Sequence, residues 1–100
     1  MNAIPQEFQP ILWSTNIKSL DLEKDKNYII HQILSYGSLQ QIKWLFKIYG
    51  KEKIKKVFVR NPVPIYTKPI FYFIKNFILN LKDKELDKKK YIKNIVGPFR

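Results

Sequence analysis

Cysteine is absent from the 100 residues, histidine occurs once and glycine only three times. Without cysteine there is no disulfide framework and no Cys/His zinc site. A single histidine, His31, with no paired nucleophile or base leaves no general acid–base machinery to assemble, and no glycine-rich loop is present to cradle a cofactor. Long apolar runs are also missing. The richest, residues 70–81, is broken by Lys75 and falls well short of the ~20 residues a membrane span needs. The first residues, MNAIPQEFQPILW, carry an acid and two prolines where a signal peptide needs a basic start and an unbroken apolar stretch. These absences predict a non-enzymatic, cytoplasmic protein with no catalytic residue, cofactor, metal or membrane partner.

What is present is charge and aromatic bulk. Nineteen Lys and Arg against eight Asp and Glu give a net charge of +11, a field that attracts polyanions or an acidic protein surface. Seventeen of the nineteen are lysine. Lysine is a solvated point charge, whereas base reading favours the fork of arginine, so the basicity reads either as a nucleic-acid footprint or as the background of a lysine-biased genome. Apolar residues make up 45% and aromatics 15%, enough for the core of one small domain.

The pattern predicts an all-α fold: a small bundle of four to five short helices with an irregular N-terminal arm (1–20), a helical domain (21–81) and a basic, charged C-terminal segment (82–100). Pro5 and Pro10 break the arm, whose Phe8, Ile11, Leu12 and Trp13 should lie across an apolar surface. Asp21 or Asp25 caps the first helix, with Ile29, Ile30, Ile33, Leu34 and Tyr36 inward and His31 on the polar side. Asp21, Glu23 and Asp25 therefore read as cap and dipole compensation in preference to a metal cluster. Asp83, Glu85 and Asp87 alternate with lysines as a solvated face.

Gly37 and Gly50 read as left-handed helix ends. Between them, Ser38 with Gln41 forms a capping box and opens the second helix. Its apolar face of Leu39, Ile42, Leu45, Phe46 and Tyr49, widened by Trp44 and Ile48, makes it the expected central helix. The third helix, 51–60, turns Ile54, Val57 and Phe58 inward. Lys43, Lys47, Lys51, Lys53, Lys55, Lys56 and Arg60 then form a basic surface on a helix–turn–helix unit, the candidate nucleic-acid interface. Phe46 stands where a DNA-reading unit wants a small residue, and no Asn or Gln is available on the third helix to read bases.

Thr67 caps a fourth helix with Pro69 in its first turn and a core stripe of Ile70, Phe73, Ile74, Phe77 and Leu81. Phe71, Tyr72, Ile78 and Leu79 are left on its other sides, and Phe99 lies beyond a Gly-Pro break. This excess marks a surface for a protein partner or a homo-oligomer seam.

The segments LWSTNIKSLDLEKDKNYIIHQIL, SYGSL and WLFKIYGKEKI resemble a family of short bacterial proteins of uncharacterised domain type. Trp13, Leu20, Ile29, Ile30, Gly37, Leu45, Tyr49, Gly50 and Ile54 carry the resemblance. Members of that family are commonly encoded beside nucleotidyltransferase-fold toxins of the AbiEii type. The resemblance thus implies an antitoxin that binds and neutralises such a toxin, with no active site of its own. The alternative is a basic helix–turn–helix regulator that binds DNA, including its own operon.

Overall fold

Three helices of nearly equal length, α1 (Lys26–Tyr36), α2 (Leu39–Tyr49) and α3 (Lys51–Arg60), pack on one another in the computed structural model, which describes residues 4–93. A short fourth helix, α4 (Lys68–Phe73), continues directly into a π-helical turn, Ile74–Ile78. Single 3₁₀ turns occur at Gln6–Phe8, Ile17–Ser19 and Lys88–Lys90. No strand forms among the described residues; one parallel bridge joins Tyr66 to Ile92. The all-α bundle is the architecture that the periodicity predicts.

The helix boundaries have local causes. Asp21 Oδ1 accepts from the amides of Glu23 and Lys24 at 2.8 and 2.9 Å, and Asp25 Oδ2 accepts from the amide of Asp21 at 2.8 Å. The two acids close a turn that delivers the chain into α1; Asp25 stands at the N-cap position, but its carboxylate turns back to Asp21 and does not make the expected cap bond to the helix amides. Those amide donors hold the Asp21 carboxyl below its ordinary 3.8. Ser38 and Gln41 form the reciprocal capping box at α2, and Thr67 caps α4 with proline in the first turn.

The two helix-ending glycines differ, and only one is left-handed. Gly50 has φ +86° and ψ 148°, a region nearly closed to other residues. It serves at once as C-cap of α2 and N-cap of α3. Gly37 is extended, with φ −81° and ψ 161°, so conformation does not demand glycine there. Space does: a Cβ at 37 would lie 2.6 Å from the Ile33 carbonyl oxygen, whereas one at 50 would meet nothing within 4 Å. Alanine should destabilise at both positions by about 1–3 kcal/mol, through steric overlap at 37 and backbone strain at 50. Thermal melting of Gly37→Ala and Gly50→Ala checks this, and wild-type midpoints for either would refute its assignment.

The helix at the centre is α1, in place of the expected α2. Six consecutive residues of α1, from Ile29 to Leu34, are buried, whereas α2 buries only Ile42 and Leu45. The cause lies in the segments that wrap α1. Phe8, Leu12, Ile17 and Leu20 of the N-terminal arm enter the same core, as do Tyr66 and Tyr91 from beyond α3. The polar side chains of α1 fasten these wraps. Gln32 Nε2 donates to the Ile11 carbonyl at 2.6 Å and Ser35 Oγ to that of Ile65 at 2.9 Å.

His31, expected on the surface, is 1% exposed. Nε2 lies 2.6 Å from the Asn61 carbonyl and Nδ1 2.7 Å from the Tyr66 hydroxyl. A carbonyl can only accept, so Nε2 carries the proton and Nδ1 accepts from the phenol. Burial lowers the pKa of the imidazole, against the opposing pull of the Asn61 carbonyl. Around it Phe58, Tyr66, Phe71 and Tyr91 form an aromatic cluster, with Phe58 and Tyr91 centroids 4.8 Å apart. The Tyr91 hydroxyl donates to the Phe58 carbonyl at 2.6 Å, and burial pushes its pKa up to about 12. The Tyr66 amide donates to the Tyr91 carbonyl and the Lys93 amide to that of Tyr66, both at 2.9 Å.

Candidate functional site

The α4 segment keeps Ile74 of its predicted stripe inward but turns Phe73 and Phe77 out. Phe71, Ile74 and Leu79 are buried, whereas Phe73 and Phe77 are 39% and 66% exposed. Beyond Ile74 the π-helical turn is the reason. The Leu79 amide bonds the Ile74 carbonyl five residues back at 2.9 Å, so the inward positions run 71, 74, 79 and leave the 3.6-residue register. Asn80, at φ 54°, then ends the helix in the left-handed conformation that asparagine tolerates.

Of the residues expected to bind a protein partner, Phe71 and Leu79 are therefore core residues and are withdrawn. Tyr72 and Ile78 are half-buried. Phe99, with Ile95 and Val96, lies outside the described residues.

Two of the exposed large apolar groups, Leu39 and Phe77, share a groove. Leu39, Ile42 and Phe46 of α2 face Phe77 and Ile78 across a groove of about 520 Å³, with Gln40 and Lys43 at its edge. Leu39 is 60% exposed. The Phe73 and Phe77 rings lie 6.1 Å apart, and Lys82 Nζ sits 5.8 Å from the Phe77 centroid. Sequence reasoning put Leu39, Phe46 and Phe77 in the core. The signal that they are not all needed there is the width of the apolar face on α2, more than one neighbour can cover.

The candidate nucleic-acid residues divide. Lys53, Lys56 and Arg60 are exposed on α3, Lys51 and Lys55 are half-buried, and Lys43 and Lys47 project from α2. One groove, about 350 Å³, is lined by Lys26, Glu52, Lys53, Lys56, Val57, Arg60 and Asn61. A second, about 170 Å³, shares Glu52, Lys56 and Arg60 and adds Lys55, Val59, Leu81 and Lys84. Lys43, Lys47 and Lys51 line neither. Glu23 sits beside the first groove, with Lys26 and Lys53 at 2.9 and 3.5 Å. The hydrogen bond from Lys26 is the main reason its carboxyl lies below 4.5.

Among the described residues no three of His, Cys, Asp and Glu converge as metal ligands, and no helix is long and apolar enough to cross a membrane. Both nitrogens of His31 are taken by protein groups. Desolvation raises the pKa of the Tyr66 and Tyr49 phenols, and the Tyr49 hydroxyl donates to the Leu22 carbonyl at 2.7 Å. These are structural bonds.

No curated protein and no solved structure matches the chain. A family model does, over residues 8–58, a segment that contains every residue carrying the resemblance, from Trp13 to Ile54. Leu20, Ile29, Ile30, Leu45 and Ile54 of that set are core residues. Trp13 is 58% exposed, with its ring 5.1 Å from that of Tyr36. The matched segment holds the arm from Phe8 onward and nearly all of α1 to α3, and it supplies the Leu39 and Phe46 wall of the apolar groove but not the Phe77 and Ile78 wall. The chain belongs to DUF6922, a family of unknown function.

Proposed function

We propose that the protein is a non-enzymatic, antitoxin-like binder that docks a nucleotidyltransferase-fold toxin through the groove between α2 and the π-helical turn. The single observation that supports this reading is that exposed Leu39 and Phe77 line one groove with half-buried Phe46 and Ile78, with exposed Phe73 beside Phe77. Large apolar groups clustered in a concavity are what a protein anchor fills, since burial of such anchors dominates binding energy. The partner's identity rests on the resemblance. A basic DNA-binding role is the second reading, supported by the exposed cations of α3, and the two roles can coexist on separate faces.

Co-purification with the nucleotidyltransferase-fold protein encoded beside it tests the proposal. Leu39→Glu/Phe77→Glu alters two exposed side chains and should leave the melting temperature within a few degrees of wild type, while weakening the complex by on the order of 30-fold or more. Equal complex formation by this variant would remove the groove from the interface. Failure of the wild type to bind would remove the antitoxin reading. Leu79→Glu is not a usable probe, because it places a charge in the core.

A further inference from the structure

We propose that α3 and its two flanking grooves form a surface for the backbone of duplex nucleic acid, one that holds phosphates without reading sequence. Lys56 and Arg60 line both grooves. The cations therefore run as one band from Lys26 through Lys53, Lys56 and Arg60 to Lys55 and Lys84. Two of these, Lys26 and Lys84, lie outside any helix–turn–helix unit, while Lys43 belongs to the apolar groove. The acids facing the band are Glu52, which lines both grooves, and Glu23, which is bonded to Lys26 and Lys53.

The geometry selects the occupant. Lys53, Lys56 and Arg60 are three and four residues apart, so their Cα atoms climb about 4.5 and 6 Å along the helix axis, a linear array suited to successive phosphates. A small anion would need groups converging on one point, and these cations are spread over two grooves along a 10-residue helix. Direct base reading needs arginine, asparagine or glutamine presented to base edges. The band is five lysines with a single arginine and the side chain of Asn61, whose main-chain carbonyl bonds His31. A competing basic groove exists at Lys68, Lys88, Lys89 and Ile92, with no acid in its lining. It gathers three cations, whereas the α3 band gathers six against Glu23 and Glu52.

Affinity for a 20-base-pair duplex of arbitrary sequence, measured by fluorescence anisotropy at 50 and 200 mM salt, tests the proposal. About five phosphate contacts imply a log–log slope near −4.5, hence a loss of roughly 500-fold between the two salts. Lys53→Gln/Lys56→Gln/Arg60→Gln should reduce that to roughly tenfold, as three contacts are removed. Lys68→Gln/Lys88→Gln/Lys89→Gln removes the same net charge and should keep the wild-type slope. Removing the acid inside the band, Glu52→Gln, should tighten binding by about two- to fivefold.

The outcomes are distinct. Equal losses in the two triple variants would mean attraction by net charge alone and would overturn the assignment to α3. A larger loss in the Lys68, Lys88, Lys89 variant would place the site in the other groove. No duplex binding by the wild type at 50 mM salt would exclude nucleic acid and leave an acidic protein as the partner of this face. A preference for the protein's own promoter over unrelated duplex would overturn the claim that sequence is not read. All of these hold whether or not the apolar groove binds a toxin, because the Leu39→Glu/Phe77→Glu variant should bind duplex as the wild type does.

Discussion

Phe58→Ala is expected to remove about 3–5 kcal/mol of stability, the range for truncating a fully buried aromatic ring. The ring touches the aromatic groups of four segments: His31 of α1, Tyr66 of the connector, Phe71 of α4 and Tyr91 of the C-terminal segment, with centroids 4.8 to 6.1 Å away. Tyr91 is doubly tied, since its hydroxyl also donates to the Phe58 carbonyl. Loss of the ring therefore opens a void that no single neighbour can close. Domains of this size have total stabilities of about 5–15 kcal/mol, so the variant should be marginally folded. Phe58→Leu, which keeps much of the volume, should lose on the order of 1–2 kcal/mol. Urea unfolding followed by tyrosine fluorescence and circular dichroism measures both. A loss below about 1 kcal/mol for the alanine variant would show that α4 and the C-terminal segment are not held through this ring.

The sequence is read most successfully where structure is decided locally. The capping box at Ser38 and Gln41, the Thr67 cap before Pro69 and the positive φ of Gly50 all follow from one or two side chains and the backbone beside them. The inward residues of α3 also follow, because that helix is buried on one side only and a 3.6-residue period describes such a helix well.

Periodicity misled in two places, each for a definable reason. A period presumes that one face is buried, but α1 is covered all round by the arm, by α2 and α3, and by the Tyr66–Tyr91 pair. His31 and Gln32 are then interior residues that bond the wrapping segments. It also presumes α-helical spacing, and the π-helical turn at Ile74–Ile78 breaks it. Everything after residue 73 rotates: Leu79 moves inward, Phe77 outward, and the candidate docking face moves with them. The excess of apolar side chains on α2 and α4 was legible in the sequence. Their meeting across one groove was not, because that depends on the helix register.

Acid should destabilise the fold as the pH falls below about 6.5, and His31 should be responsible. The imidazole is interior and neutral, with its folded-state pKa below the ordinary 6.5 because burial penalises the charged form. The unfolded chain takes up a proton near pH 6.5. Above that value the contribution of neutral His31 is complete. As pH falls below it, the unfolded state binds more protons than the folded one, and stability drops by up to about 1.4 kcal/mol per pH unit until the folded pKa is passed. Asp21 and Glu23 have carboxyls held below 3.8 and 4.5 by their hydrogen-bond donors, and burial pushes Tyr91 up to about 12, so these three lie outside the range of the imidazole. His31→Phe keeps a ring in the same space and abolishes the titration, so its unfolding free energy should be flat across the window. It also leaves the Tyr66 hydroxyl and the Asn61 carbonyl without their shared partner, at about 1–3 kcal/mol for a buried orphaned group. The Asn61 carbonyl is nearer solvent and water can reach it, so the loss falls mainly on Tyr66, and His31→Phe/Tyr66→Phe should recover part of it. Urea midpoints for wild type and both variants at pH 5 and 7.5 measure the two effects separately. A pH dependence in His31→Phe equal to that of the wild type would show that the acid sensitivity belongs to another group.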